Sequence, residues 1–580
     1  MKGMKQMKKL ISLTLVLTLI FAVMAPVSSV FAQETANADL TPIIYVRGNG
    51  NRLYNADNKI IASDISHITL GGDGEDTKDT IIETASNILL PLLTEGLIFD
   101  KWDNYGKAVY DELSPLLDEA ILDGDGNPRY GTGIGKGAEN ANKWKAKQKF
   151  TDENGLYVVR DYEHDTREYS FAYDWRLDPF HSADLLHEFV TTILETTGAK
   201  QVSFVSRCLG GAVLNAYLVR YGELGHIKNV LYGDTLAMGC SSISKGFSGQ
   251  VEFDSENLQR YEGQLTHCAE IGEGVGFEIP LLADEIIQRT LDLFNQVGAT
   301  DKLLEPIESL YNRLYKALIP ALFQSFGYGS MPAYWATVYE EDFDLALEVM
   351  FGEEGSEART YYAGLIEKIT YYRENVTSKL PGLYEEFAKP VEDGGYGVHI
   401  GTVSKYGYLN PPAIKDSDAL NDATVNLSDA SFGATTVKVG RTFSDDYIAQ
   451  RTAEGKGKYI SPDKQVDTST CVFPDTAWVI KNQHHGYGDT IFEIAYEFCN
   501  GTNVTVETSS FPRFMMFDEY TETWTPMTED NCADFDFMTR PEIKPTTETR
   551  LVSLMRFFTA IIELFTKLFK GELDFSNLFG

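Results

Sequence analysis

The sequence predicts an α/β protein: a mostly parallel central sheet with helices on both faces and an inserted helical cap. Three observations carry this. Between residues 169 and 232, short β-branched and aromatic runs alternate with stretches of helical spacing, the pattern of successive βαβ units. From about Cys240 to Gly395 the pattern changes to long amphipathic stretches, namely Leu282 to Phe294, Leu303 to Leu322 and Glu357 to Arg373. Strand-like runs then resume at Val398–Val403 and Ala477–Ile480, so the helices read as an insertion between two parts of one sheet.

In chain order, residues 1–32 begin with lysines, continue as an uncharged apolar run from Leu10 to Ala25, and end on the small-residue pattern Val30-Phe31-Ala32. This predicts a secretory signal peptide cleaved after Ala32, and hence a secreted or cell-surface protein. The apolar run is short for an uncleaved membrane anchor. Residues 33–240 form the first part of the core. Its opening strand, Pro42–Val46, runs into Gly48-Asn49-Gly50, and a second strand spans Tyr169–Trp175. Ser182 is the expected N-cap of a helix that carries Leu185, Leu186, Phe189, Val190, Ile193 and Leu194 and stops at Gly198. Gln201–Val205 reads as a strand, 206–211 as a sharp turn, Ala212–Tyr221 as a helix and Ile227–Tyr232 as a strand. Residues 241–395 are the helical cap. Residues 396–500 complete the core, with a helix from Asp489 to Phe498 and a polar excursion over 412–460. Asn503–Val506 and Arg513–Phe517 predict a small β appendage within 501–540. Residues 541–580 are a linker and an amphipathic helix whose apolar face runs from Leu551 to Phe569, suited to a membrane surface, a partner or its own domain.

The chain of 580 residues carries a net charge of −35, and removal of the four lysines of residues 1–32 takes it to −39. Such a balance repels polyanions and argues against nucleic-acid binding. The six cysteines, Cys208, Cys240, Cys268, Cys471, Cys499 and Cys532, are scattered singly with no C-x-x-C pair, so neither zinc nor a redox motif is indicated. Export permits disulfides without requiring them.

The chemistry centres on Ser206-Arg207-Cys208-Leu209-Gly210. A nucleophile on a strained strand-to-helix turn needs small residues two before and two after it, and Ser206 and Gly210 meet that demand, with Gly211 letting the helix approach the sheet. This is the nucleophile elbow of the α/β-hydrolase fold, with cysteine at its tip. A thiolate there would form a thioester acyl-enzyme. The base is expected after the last core strand, where Gln483-His484-His485-Gly486 offers His485, with His484 in reserve. For the acid, Asp463 precedes that strand, with Asp467, Asp475 and the topologically different Asp234 as competitors. The oxyanion hole takes the backbone N–H of Leu209 and one from the Arg47-Gly48-Asn49-Gly50 loop, Asn49 being the preferred donor. No metal or organic cofactor is called for.

Pro42–Gly50, Tyr173-Asp174-Trp175-Arg176 and Val205–Gly211 together resemble the lecithin:cholesterol acyltransferase-like branch of the α/β-hydrolase lipases, in that family's order. The resemblance covers blocks within residues 40–240 and 396–500. It implies a Ser-Asp-His triad, a cap over the site, and acyl ester hydrolysis or transfer on lipids. By position the nucleophile falls on Cys208, the acid on Asp463 and the base on His485, with Tyr173 to Arg176 supporting the floor of the site. The chain departs from the family in having cysteine for serine, Ser206 for the first glycine of the elbow, and Pro462-Asp463-Lys464 for a glycine-flanked acid. The expectation is a secreted acyl hydrolase or acyltransferase acting on a lipid or other acyl substrate. Its rivals are a catalytically silent surface-binding or carrier protein on the same scaffold and a peptidase-like or amidase activity.

Overall fold

The structure is a computed structural model. It describes residues 41–62 and 87–134 with breaks, 168–252, scattered positions between 257 and 267, 300–410, 414–485 and, apart from residue 536, 490–537. The expected signal peptide, the stretch 282–294, Cys268, Asn49 and the expected C-terminal helix lie outside the described residues.

One sheet organises the chain. Its strands are β1 (Ile43–Val46), β2 (Glu168–Phe171), β3 (Val202–Cys208), β4 (Ile227–Thr235), β5 (His399–Tyr406), β6 (Ala477–Lys481), β7 (Phe514–Asp518) and β8 (Thr523–Pro526). They lie side by side in the order β8-β7-β6-β5-β4-β3-β1-β2. Every pairing is parallel except that of β7 with β8. The protein is therefore α/β with a mostly parallel eight-stranded sheet. The strand pair near the C-terminus is not a separate appendage: β7 joins the main sheet beside β6, and Asn503–Val506 is not a strand.

Alternation along the strands sends successive side chains to opposite faces, and both faces are covered. Ile44, Val46, Phe204, Val230 and Tyr232 pack with the helices α1 (Pro179–Thr197) and α2 (Gly210–Tyr221). On the other face, Ile43, Tyr45, Val205, Leu231, Trp478 and Ile480 meet Ile491, Ile494 and Phe498 of α3 (Thr490–Asn500). Burying each such large apolar side chain contributes about 1.5–3 kcal/mol, which is why these strands are hydrophobic almost throughout. Helix α1 begins earlier than Ser182. Asp178 caps it by accepting from the Phe180 N–H, Pro179 occupies the first turn, and Gly198 at φ +70° closes it.

Between β4 and β5 the chain makes a run of helices, including 300–325, 343–351, 363–375 and 382–388. The last two pack on α1 and α2. The Tyr372 hydroxyl donates to the Ala212 carbonyl at 3.2 Å, and Tyr384 donates to Asn215 Oδ1 at 3.1 Å. The predicted helix 357–373 is divided at Tyr362 into 357–361 and 363–375.

The segment after β2 carries a buried ion pair. Arg176 donates from Nε to Asp174 Oδ1 at 2.9 Å and from Nη2 to Oδ2 at 2.6 Å, and its Nη1 reaches the Ala120 carbonyl. Removing one partner leaves the other charge buried and unpaired. Arg176→Met is therefore expected to lower unfolding free energy by about 3–5 kcal/mol in a denaturant titration. A loss below 1 kcal/mol would contradict this reading of the pair.

Candidate active site

The strand β3 runs straight into the turn. Cys208 adopts φ +49°, a left-handed conformation that a non-glycine residue takes only where its surroundings impose it. Leu209 follows as the N-cap and α2 begins at Gly210. The turn is possible because three neighbours lack side chains. A Cβ on Gly210 would fall 2.1 Å from the Val46 carbonyl oxygen, and one on Gly211 would fall 2.1 Å from Thr235 Oγ1. A Cβ on Gly48 would lie 2.6 Å from Cys208 Cβ, 3.0 Å from Cys208 Sγ and 3.1 Å from the Leu209 nitrogen. Ser206, two residues before the cysteine, sits in register between Val46 and Tyr232, fully buried.

Gly48 thus lies against the elbow. Tyr173 fixes the preceding residue by donating its hydroxyl to the Arg47 carbonyl at 2.5 Å. Burial, and then the neighbouring Cys208, push the Tyr173 phenol far above its ordinary range, so it remains a donor. Gly48→Ala must displace Cys208 or Leu209. For an elbow that serves as a nucleophile, the expected result is a fall of about 100-fold in turnover of an activated ester with little change in far-ultraviolet circular dichroism. Wild-type turnover in this variant would show that the contact does not matter.

His485 lies just after β6. Its Nδ1 is 2.9 Å from Asp422 Oδ2, and its backbone N–H donates to the Asp422 carbonyl at 2.8 Å. Asp422 is fully buried, and its other oxygen accepts from the Thr424 and Val425 N–H groups at 3.0 and 2.8 Å. An aspartate held by its own turn in this way has one orientation. With Nδ1 committed to Asp422, Nε2 is the nitrogen left for Cys208, whose side chain neighbours the ring. Burial opposes a charged ring, but Asp422 first and Cys208 second outweigh it, and His485 is raised to about 10.

A histidine raised in the folded state stabilises the fold fully below its unfolded pKa of about 6.5, and that contribution is lost as pH climbs toward the folded value. The thermal midpoint of the wild type is expected to exceed that of His485→Gln most at pH 6, with the gap closing toward pH 10. A gap constant across that range would contradict the assignment.

Three expectations are corrected by this geometry. Asp463 is not beside His485. Its carboxylate is held by Tyr406 Oη at 2.5 Å, Lys481 Nζ at 2.8 Å and Ser461 Oγ at 2.5 Å, because Tyr406 and Lys481 end neighbouring strands with their side chains toward this loop. Asp234 is not the partner of the imidazole either: Arg207 and Lys405 each donate to its Oδ2 at 2.8 Å. His484 turns away, its Nδ1 3.0 Å from the His485 carbonyl oxygen and its ring edge-on to Tyr408. Asp422 was hidden in the excursion 412–460, where an Asx-type turn, Asp422-Ala423-Thr424, flanked by Leu420, Val425 and Leu427, was the available signal. That segment is no solvated loop, since Leu420, Asn421, Asp422, Val425 and Leu427 are all buried.

Cys208, Cys240, Cys471, Cys499 and Cys532 are free thiols. Cys240 is buried with its sulfur on the Thr424 carbonyl at 3.4 Å, so it does not bridge to Cys208. Among the described residues no group of three or more His, Cys, Asp or Glu side chains is placed to hold a metal ion, and no helix is long and apolar enough to cross a membrane.

Fold and site together define a class: an α/β protein with a free thiol on a strained strand-to-helix turn, facing a histidine that a buried aspartate holds. No family model and no curated protein matches the chain. A solved structure, the crystal structure of the Tle4-Tli4 complex, is similar at 12% identity with a TM-score of 0.26. The likeness covers 63% of this chain and 75% of that one.

Proposed function

We propose that the chain is an α/β-hydrolase-fold acyl hydrolase or acyltransferase that works through Cys208, His485 and Asp422 on a lipid or other acyl substrate. The observation that carries the reading is the junction of Cys208, at φ +49° on the turn, with the His485–Asp422 pair. A strained turn exposes a nucleophile, and a histidine oriented by a carboxylate manages its proton.

The reaction runs in two halves. The Cys208 sulfur attacks the acyl carbon, its proton being held by His485. The carbonyl oxygen becomes an oxyanion, stabilised by the Leu209 N–H and by a donor from the loop that begins at Gly48, for which Asn49 is the candidate. The C–O bond to the leaving alcohol breaks as His485 gives that oxygen the proton, leaving a thioester on Cys208. Water or an acceptor alcohol then loses a proton to His485 and attacks the thioester. The C–S bond breaks, and the acid or new ester departs. Asp422 holds the ring and offsets its charge throughout.

In this reading the helices between β4 and β5 form the cap. They touch the site's surroundings through Thr337, whose carbonyl accepts from the Cys240 N–H, and through Tyr339, whose ring lies against Gly239. The segment that leads from β4 to those contacts meets the elbow itself, the Leu236 N–H donating to the Cys208 carbonyl at 3.1 Å. The lysine-led apolar segment of residues 1–32 supports a location outside the cell or at its surface for this activity.

The experiment is acyl-enzyme trapping. After incubation with p-nitrophenyl butyrate and an acid quench, mass spectrometry is expected to find one butyryl group, on the peptide containing Cys208, that neutral hydroxylamine removes. Ester turnover without that adduct, unaffected by iodoacetamide, would overturn the mechanism. Absence of turnover and adduct with a panel of ester chain lengths would favour the carrier reading of the scaffold.

A further inference from the structure

Beneath the site lies a buried cluster of charge for which the triad reaction has no stated use. Arg207 sits next to the nucleophile, Asp234 ends β4 at φ +44°, and Lys405 lies in β5. The Asp234 and Lys405 side chains are fully buried and Arg207 is 16% exposed. One carboxylate oxygen, Asp234 Oδ2, takes both cations at 2.8 Å each. Asp234 Oδ1 is buried without a hydrogen-bond partner among the described residues. Lys405 Nζ also lies 3.5 Å from the His484 carbonyl oxygen, on the peptide that joins His484 to His485.

Two cations on one carboxylate leave one positive charge over, inside the protein and beside the elbow. Buried charge is expensive unless something compensates it. Burial lowers Lys405 from its ordinary range, Asp234 offsets most of this, and Asp422, which also acts on His485, adds to the offset. With Arg207 and Lys405 set against Asp234 and Asp422, the charges around the Cys208–His485 pair cancel, and loss of either cation leaves anionic surroundings that disfavour a thiolate. Tyr173 and Cys240, which act electrostatically with Cys208, stay neutral, because burial pushes Tyr173 far up and Cys240 up to about 12. His484, which burial lowers, is uncharged as well at neutral pH. Asp234 is held below the usual carboxylate range: burial opposes this, but Lys405 and Arg207 prevail.

We infer that Lys405, clamped by Asp234, is a positioning residue of the site: with Arg207 it supplies the buried positive charge that favours the Cys208 thiolate, and it anchors the peptide carrying His485. The inference rests on the Cys208–His485–Asp422 reading. It assigns to Asp234 the role of holding cations rather than orienting the imidazole, and it makes the thiolate depend on two residues outside the triad.

The test is the pH dependence of Cys208 alkylation by iodoacetamide, followed on the Cys208 peptide by mass spectrometry in the full-length protein. Removing a nearby cation disfavours the thiolate, so Lys405→Met is expected to raise the alkylation midpoint by about one pH unit, a rate loss of about tenfold below it. Arg207→Met, at a partly exposed position, is expected to raise the midpoint by a smaller amount and serves if Lys405→Met fails to fold. Lys405→Arg is expected to restore most of the shift. Asp234→Asn removes an anion and is expected to move the midpoint down. Opposite signs for the Lys405 and Asp234 variants are the signature of an electrostatic role. If both move the midpoint the same way, or if Lys405→Met and Arg207→Met both leave it in place, the inference is overturned. Failure of the underlying reading looks different: the wild-type profile would then be unchanged by His485→Gln.

Discussion

Cys208→Ala is expected to abolish formation of the acyl-enzyme and to lower turnover of p-nitrophenyl esters by at least about 10³-fold, since a triad without its nucleophile keeps only the residual catalysis of binding and the oxyanion site. The side chain of Cys208 is partly exposed and packs only partly against the core, so the thermal midpoint should move little. Cys208→Ser is the sharper companion. It keeps the turn and installs the residue usual at such a turn in α/β-hydrolase lipases, but a hydroxyl ionises far less readily than a thiol. His485, tuned to keep a proton beside sulfur, is then a poor base toward it. Turnover of the serine variant is expected to fall by about 10²-fold or more at pH 7. If ester turnover and acyl labelling survive Cys208→Ala, the nucleophile lies elsewhere and the reaction proposed for this turn is wrong.

Asp422→Asn is expected to lower kcat by about 10³–10⁴-fold while leaving substrate binding nearly intact. The substitution keeps an oxygen for the Thr424 and Val425 N–H groups, so the turn survives. Its amide then faces Nδ1 as a donor, which forces the imidazole into the tautomer that presents a proton, not a lone pair, to the nucleophile. Asp463→Asn separates the two aspartates. There the loss is the partnership with Lys481 and Tyr406, about 1.5–3 kcal/mol of stability read by denaturant unfolding, with kcat changed by no more than a few-fold. The reverse outcome, kcat collapsing at Asp463 and persisting at Asp422, would return the acid to the loop before β6.

Much of the architecture was legible in the residues. The apolar runs of β1, β3 and β4, the Ser206–Gly211 turn and the placing of His485 after a late strand each follow from a local rule. A strand buried on both faces is apolar throughout, and a tight strand-to-helix crossing demands small residues where it touches its neighbours. Gly48, Gly210 and Gly211 meet that demand with no room to spare. Other expectations failed for an equally physical reason. Ser182 has a capping side chain, yet Asp178 four residues earlier combines a cap with a proline in the first turn. Phe514–Asp518 has strand composition, but composition carries no information on which sheet edge a strand will join.

The acid marks the boundary between the two kinds of knowledge. By itself the sequence determined the α/β class, the turn that lifts Cys208 and the histidine-bearing end of β6, because periodicity and side-chain size act over a few residues. Only the tertiary structure decided that Asp422 meets His485, while Asp463 meets Lys481 and Asp234 meets Lys405 and Arg207. Asp234 lies near the end of a buried strand and Asp422 and Asp463 in polar turns, and none of these local settings names the partner. Which cation or imidazole each one finds is set by how distant segments pack, and the cost of burying an unpaired charge then fixes the partners.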